Sequence, residues 1–307
     1  MHNKTTKYGF SGHETFTFRY GWLKKGIDAV QSDPNVFNSE DAIVRLGVGK
    51  NMVRSIRYWC LATRLITDQP EPENQHHVLR VTEIGTKLLS NDGWDPYLED
   101  FASLWLLHWL LVTNPVKAAA WHVVFTSFVQ PDFTKRELLR FIGSFTEGKG
   151  VRVSQNSINR DIDCLIHTYM PSRNAKDNLI EDSLDCPLVE LGLIQPMFDT
   201  DTSRFSIGSK PSLPVSIFGF ALNNYFDSEA GARQTINFQS CLYGVGSPGQ
   251  VFKLDENSLI EYIETLQDLT SGDIQIDETA GLKQVYRQKS LDSIQLLEDY
   301  YSKKKAQ

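Results

Sequence analysis

At 307 residues with 41% apolar side chains, the chain is long enough for two or more domains with ample core. Its four cysteines, Cys60, Cys164, Cys186 and Cys241, form no CxxC pair, which speaks against a thiolate zinc site and fits a reducing, cytoplasmic compartment. The net charge of -7 discourages a nucleic-acid role for the whole chain, yet residues 1–66 hold ten Lys/Arg against five Asp/Glu, a net of +5 that leaves -12 elsewhere. Such asymmetry points to a basic docking segment on an acidic body.

The first residues read as a loose terminus with no apolar stretch resembling a signal peptide. GFSGHETFTFRYGWLKKG, residues 9–26, follows. Its aromatics suit a packed N-terminal element, and Lys24 and Lys25 are candidate DNA contacts. His13, Glu14 and Arg19 are read either as part of that packing or as a phosphate-facing or catalytic surface. Ser39 is the expected N-cap of the next helix, with Ala42, Ile43 and Leu46 on its apolar face. The turn Gly47-Val48-Gly49 leads into KNMVRSIRYWCLATRLI. There Met52, Val53, Ile56 and Trp59 face inward, while Lys50, Asn51, Arg54 and Arg57 share an outward face. Helix, glycine turn and cationic helix make a helix-turn-helix pattern. DQPEPENQHH, HVLRV and TEIGTKLLSN supply a wing, a strand and a helix. His76 and His77 lack a third partner for a metal.

The most apolar run lies in NDGWDPYLEDFASLWLLHWLLVTNPVKAAAWHVVF, residues 91–125. A helix apolar all round belongs in a core, and Pro115 breaks it into two segments, each too short to span a membrane. His108 and His122 read as satisfied core residues. The acidic entrance has two readings. Asp95-Pro96 is a helix cap and first turn, with Glu99 and Asp100 favouring the positive helix end. Alternatively, Asp92, Asp95 and Glu99, spaced around Trp94, share a divalent cation (Mg or Mn) that activates water against a phosphodiester.

A second helix-turn-helix pattern starts at an N-cap-like Thr134, and its second helix, QNSINRDIDCLIHTYM, carries Asn156, Asn159 and Arg160 outward. Asp161 and Asp163 dilute its charge. GSFTEGKG has phosphate-loop spacing, but Gly150 stands where Ser or Thr must bind magnesium. SRNAKDNLIEDSLD reads as a loop, PLVELGLIQPMF and SRFSIG as short strands, and IFGFALNNYFD as a helix. A further helix starts at Glu256, capped by Asp255; SKKKAQ reads as disordered, and no repeat array is evident. The expected fold is mainly α with short β wings, two winged-helix-like units around a buried helical hairpin. The expected divisions are 1–90, 91–132, 133–230 and 231–307.

GFSGHETFTFRYGWLKKG, LGVGKNMVRSIRYW, NDGWDPYLEDFASLWLLHW, EDSLDCPLVELGLI and DETAGLKQVYR together resemble a bacterial domain-of-unknown-function family, number four thousand and seven, from about Gly9 to Arg287. The resemblance implies the DNA-nicking subunit of single-strand DNA phosphorothioation systems. Its partners would be double-stranded DNA and the ATPase and sulphur-transfer subunits, with no membrane. It also implies nicking at an acidic, Trp-containing motif, matched here by Asp92, Gly93, Trp94 and Asp95, with Gly93 and Pro96 departing from the more aromatic, acidic pattern. Asp92 and Asp95 are then the candidate metal ligands, and Asp92, Trp94, Asp95 and Glu99 the catalytic set. A non-catalytic DNA-binding adaptor and a transcription regulator of the same system are the alternatives.

Overall fold

The computed structural model describes residues 6–70, 77–171, 186–197, 200–231, 233–279 and 281–305; His76 and the polar stretch 172–185 lie outside them. The chain divides into two compact units, Met1–Val124 with Asp132–Arg204, and Phe125–Pro131 with Phe205–Gln307. The architecture is mostly helical, with three small sheets.

In the first unit α1 (Tyr20–Ser32) is followed by a 3-10 turn (Val36–Asn38), α2 (Ala42–Leu46) and α3 (Lys50–Ala62). Asp41, not Ser39, occupies the N-cap position of α2. The Ser39 hydroxyl instead bonds the Asp41 carboxylate. Ile43 is exposed as well, because a five-residue helix buries only Ala42 and Leu46. Gly47 ends α2 in the left-handed conformation, φ 62°, which glycine adopts without a Cβ clash. α3 then buries Val53, Ile56 and Trp59 as its spacing predicts. The antiparallel pair β1 (Ile66–Pro70) and β2 (His77–Val81) follows, then α4 (Glu83–Leu89). Helix, turn, helix and two-stranded ribbon are consistent with a winged-helix motif.

α5 (Phe101–Val112) and α6 (Ala119–Thr126) carry the apolar run. Every α5 residue after Phe101 is buried. Trp59, Trp105 and Trp121 are fully buried, and the Trp59 and Trp121 rings meet edge-on at 5.5 Å. At about 25 cal/mol per Å² over roughly 150–250 Å² of ring surface, each contributes about 4–6 kcal/mol as an upper bound. His108 and His122 are satisfied core residues, through Tyr169 Oη (2.7 Å) and the Val112 carbonyl (3.0 Å).

β3 (Asp132–Thr134), α7 (Lys135–Gly148), α8 (Gln155–Tyr169), a 3-10 turn (Pro187–Leu191), β4 (Ile194–Pro196) and β5 (Thr202–Phe205) continue the chain. Thr134 and Glu137 close a capping box on α7. The Gly143–Lys149 stretch lies in and just past α7 rather than after a strand, so it is no phosphate loop. Pro187–Leu191 is a 3-10 turn rather than the expected strand, since Pro187 offers no N–H to a ladder.

The second unit contains α9 (Val215–Glu229), β6 (Thr235–Asn237), α10 (Phe238–Tyr243), α11 (Pro248–Phe252), α12 (Glu256–Leu269), β7 (Ile274–Thr279), β8 (Leu282–Arg287) and α13 (Ser293–Lys305). α13 carries Ser302–Lys305 in its last turn, where the expectation was disorder; three lysines at a helix C-terminus are favoured by its dipole. The two three-stranded sheets share one topology. A strand leads into helices, a strand pair follows, and the last strand lies in the middle, giving orders β3-β5-β4 and β6-β8-β7. No repeat is visible in the sequence at these positions.

Candidate nucleic-acid interface

α3 begins at Lys50, with Gly49 in the N-cap position and no side-chain hydrogen bond closing the helix start. Lys50, Asn51 and Arg54 are exposed and Arg57 is half-exposed, opposite the buried Val53 and Trp59. Arg54 lies 3.9 Å from Glu14 with 55% of its side chain exposed, and Arg57 lies 3.2 Å from Asp68 with 38% exposed. Ion pairs this wet are worth about 1 kcal/mol or less, so a phosphate can displace them. Asp68 also bonds His77 Nδ1 at 2.9 Å, linking the strand pair to α3. Lys24 and Lys25 are placed differently. The Lys24 amine is held by Asp28 (2.7 Å) and Asn91 (2.8 Å), and that of Lys25 by the Leu46 carbonyl (2.8 Å).

The segment before α1 is built from strained backbone. Ser11, Glu14 and Thr15 have φ of 66°, 51° and 67°, each costing about 1–2 kcal/mol outside glycine. Gly12 has φ 104°, and a Cβ there would stand 2.8 Å from the Tyr58 ring. What holds this loop is Asp161 of α8, 1% exposed. It accepts from the Ser11 amide (3.0 and 3.1 Å) and pairs with His13 Nε2 (3.0 Å). His13 Nδ1 accepts from the Thr15 amide at 3.0 Å, so Nε2 carries the proton that goes to Asp161. Both ring nitrogens are engaged, and His13 is a strut rather than a base oriented by Glu14. Arg19 stacks its guanidinium 5.5 Å from the Trp22 ring centroid. The importance of Asp161 escapes a reading by charge. One signal was available: Ile158, Asp161, Ile162 and Leu165 share the buried face of α8, so a carboxylate sits where an apolar residue belongs.

At the acidic entrance, α5 starts later than Asp95-Pro96 suggests. Leu98 is left-handed, φ 58°, so no helix passes through it, and Asp100 is the N-cap, accepting from the Ala102 amide. Asp95 is 7% exposed and caps the turn ahead of the helix, accepting from the Glu99 and Asp100 amides (2.9 Å each) and the Ser103 hydroxyl (2.6 Å). Asp92 and Glu99 are exposed and Trp94 is half-buried, with the Lys87 amine 6.0 Å from its ring centroid. Asp95 is thus engaged inside, whereas Asp92 and Glu99 face solvent. Among the described residues no group of three or more His, Cys, Asp or Glu is disposed to hold a metal ion.

Two later helices, α8 and α12, differ from α3 in charge. On α8, Asn156 and Arg160 are exposed and Asn159 is half-exposed, with Asp163 paired to Lys135 beside them. α12 exposes Glu256, Glu261, Glu264 and Asp268 and has no cation. Of the three, α3 alone presents a face that is entirely cationic or amide.

A family model described as "Protein of unknown function (DUF4007)" matches residues 10–301. No curated protein matches the chain. Two solved structures do, described as "SspB crystal structure" and "Magnesium ion-bound SspB crystal structure". Both are 32% identical over 96% of this chain and 88% of theirs, with TM-scores of 0.86 and 0.85.

Proposed function

The chain belongs to the DUF4007 family and is homologous to SspB, and from that premise we propose that it is a DNA-binding protein of a phosphorothioation-based defence system. The observation that carries the reading is the exposed face of α3, where Lys50, Asn51, Arg54 and Arg57 stand free of the core at the spacing of a recognition helix. In this reading α2, α3 and the β1–β2 ribbon form one winged helix. The β3–α7–α8–β4–β5 segment forms a second around the buried α5–α6 hairpin, offering Asn156, Asn159 and Arg160 as auxiliary contacts. Lys24 and Lys25 stiffen the base of the first motif and contribute field more than contact. Double-stranded DNA is the principal partner, and the ATPase and sulphur-transfer subunits of the system are the expected protein partners. No helix among the described residues is long and apolar enough to cross a membrane.

The test is a duplex titration across salt. Wild type should show a log–log slope that falls by about one for each phosphate contact removed, so Lys50→Gln with Arg54→Gln should flatten it by about two. An unchanged slope and affinity would overturn the assignment.

Strand nicking is the second reading, favoured by the magnesium ion described for the similar structure. Of the entrance carboxylates, Asp95 already accepts three hydrogen bonds, whereas Asp92 and Glu99 are exposed. The residues left for chemistry or strand positioning are Asp92, Glu99 and Trp94. Relaxation of supercoiled plasmid with and without magnesium, lost in Asp92→Asn while duplex affinity persists, would support nicking. Its absence in wild type would leave a non-catalytic adaptor.

A further inference from the structure

Beside α3 lies a cavity of about 500 Å³ whose lining includes Ser11, Gly12, Arg54, Arg57, Tyr58 and Lys117. We infer that it is a phosphate-binding notch, built by the strained N-terminal loop to take one phosphate group of a nucleic-acid strand.

Three observations converge on an anion. The lining holds three cations, Arg54, Arg57 and Lys117, against one carboxylate, Glu14, and among the described residues Lys117 has no ion-pair partner. Two donors are shielded from solvent and unsatisfied: the Ser11 hydroxyl oxygen and Arg57 Nε have no hydrogen-bond partner among the described residues. Buried polar atoms are nearly always paired, so a small rotation of either side chain toward the cavity would give it an acceptor oxygen of a bound anion. The shape is also held from several sides. Tyr58 Oη donates to the Lys117 carbonyl at 3.1 Å. Gly9 donates to the Pro115 carbonyl and accepts from the Ala119 amide, and a Cβ on Gly9 would lie 2.0 Å from the Val116 carbonyl oxygen. Asp161 fixes Ser11 and His13 from α8. Strained backbone persists where surrounding contacts over-determine it, and it collects at ligand clamps.

The donor set excludes a cation by charge and an apolar ligand by its unpaired polar atoms. A guanidinium with a serine hydroxyl suits a tetrahedral oxyanion. The source of the phosphate, a DNA strand, rests on the DNA-binding reading above; the chemistry of the notch does not. Either an internal phosphodiester or a terminal phosphate monoester presents the required oxygens.

The experiment is calorimetric titration of the full chain with inorganic phosphate, with acetate, and with a short single strand bearing or lacking a 5′-phosphate. Wild type should bind inorganic phosphate saturably and acetate much more weakly. Lys117→Gln and Ser11→Ala should each weaken phosphate by about tenfold, the loss of one charge-assisted contact. Lys289→Gln, on an exposed side chain of the second unit, should bind as wild type. A strand that needs its 5′-phosphate identifies a terminal monoester, and one that does not identifies an internal diester; both uphold the notch. It is overturned if phosphate gives no saturable signal, if acetate equals it, or if both notch variants bind as wild type with unchanged circular dichroism. Phosphate binding without duplex binding would remove the DNA reading and leave the notch; duplex binding without phosphate binding would do the reverse.

Discussion

Replacing Asp161 by asparagine tests the central strut of the N-terminal loop. The wild-type carboxylate takes the buried His13 Nε2 on Oδ1 and the half-buried Ser11 amide across Oδ1 and Oδ2. Asparagine can keep both bonds on its single oxygen, but it removes the charge from each and sets an NH₂ against the Ser11 N–H where Oδ2 stood. That weakens two charge-assisted bonds and costs about 1–3 kcal/mol in all. At roughly 2–4 °C per kcal/mol for a unit of this size, the first unit should melt roughly 2–12 °C lower. Hydrogen exchange supplies a local readout: the Ser11 and Thr15 amides should be protected in wild type and lose protection in the variant. Asp163→Asn, two residues on and half-exposed, should shift stability by no more than about 0.5 kcal/mol. Melting of Asp161→Asn within a degree or so of wild type, with both amides still protected, would refute the reasoning.

Two further outcomes follow from buried charges. Burial pushes the Lys253 amine down to about 7, against roughly 10.4 in an unfolded chain. Below about pH 7 both states hold the proton and the buried charge weighs fully on the second unit. Above it the folded form sheds a proton that the unfolded chain keeps, so stability should rise with pH by at most about 1.4 kcal/mol per unit, levelling near pH 10.4. Lys210, lowered to about 8 by burial, adds in the same direction, whereas the Phe205 ring 4.4 Å from the Lys253 amine favours the cation and blunts the slope. Urea midpoints across pH 7–9 should climb in wild type and climb less in Lys253→Met; parallel lines would reject the assignment. Asp95→Asn should lower the urea midpoint of the first unit by about 2–4 kcal/mol in stability, since an amide replaces an acceptor of three bonds. If Asp95→Asn retains wild-type stability, the capping role is wrong and the residue returns to the list of candidate ligands.

Local features were the legible ones. The α3 face, the Thr134 cap and the Asp255 cap all follow from residues within seven positions of one another, where helical spacing alone decides the outcome. Asp95 misled because Asp-Pro ahead of an apolar run satisfies the rules for a cap, while the left-handed Leu98 that postpones the helix leaves no mark on the pattern. Asp161 was hidden for a different reason. Its partners are 148–150 residues away, and only its place on an apolar helix face hinted that something must neutralise it. The shared topology of the two three-stranded sheets is likewise invisible to spacing, because one motif crosses between its helices in a few residues and the other inserts α11.

That long-range clasp also governs when the protein can be completed. A nascent chain exposes Ser11 and His13 long before Asp161 has been synthesised, and at about 5–20 residues per second the wait is roughly 8–30 s. Until then the left-handed backbone at Ser11, Glu14 and Thr15 lacks its carboxylate anchor, and only earlier partners such as Ser55 and Trp59 can steady the segment. A product truncated before α8 would carry the whole cationic helix and still lack the cradle beside it.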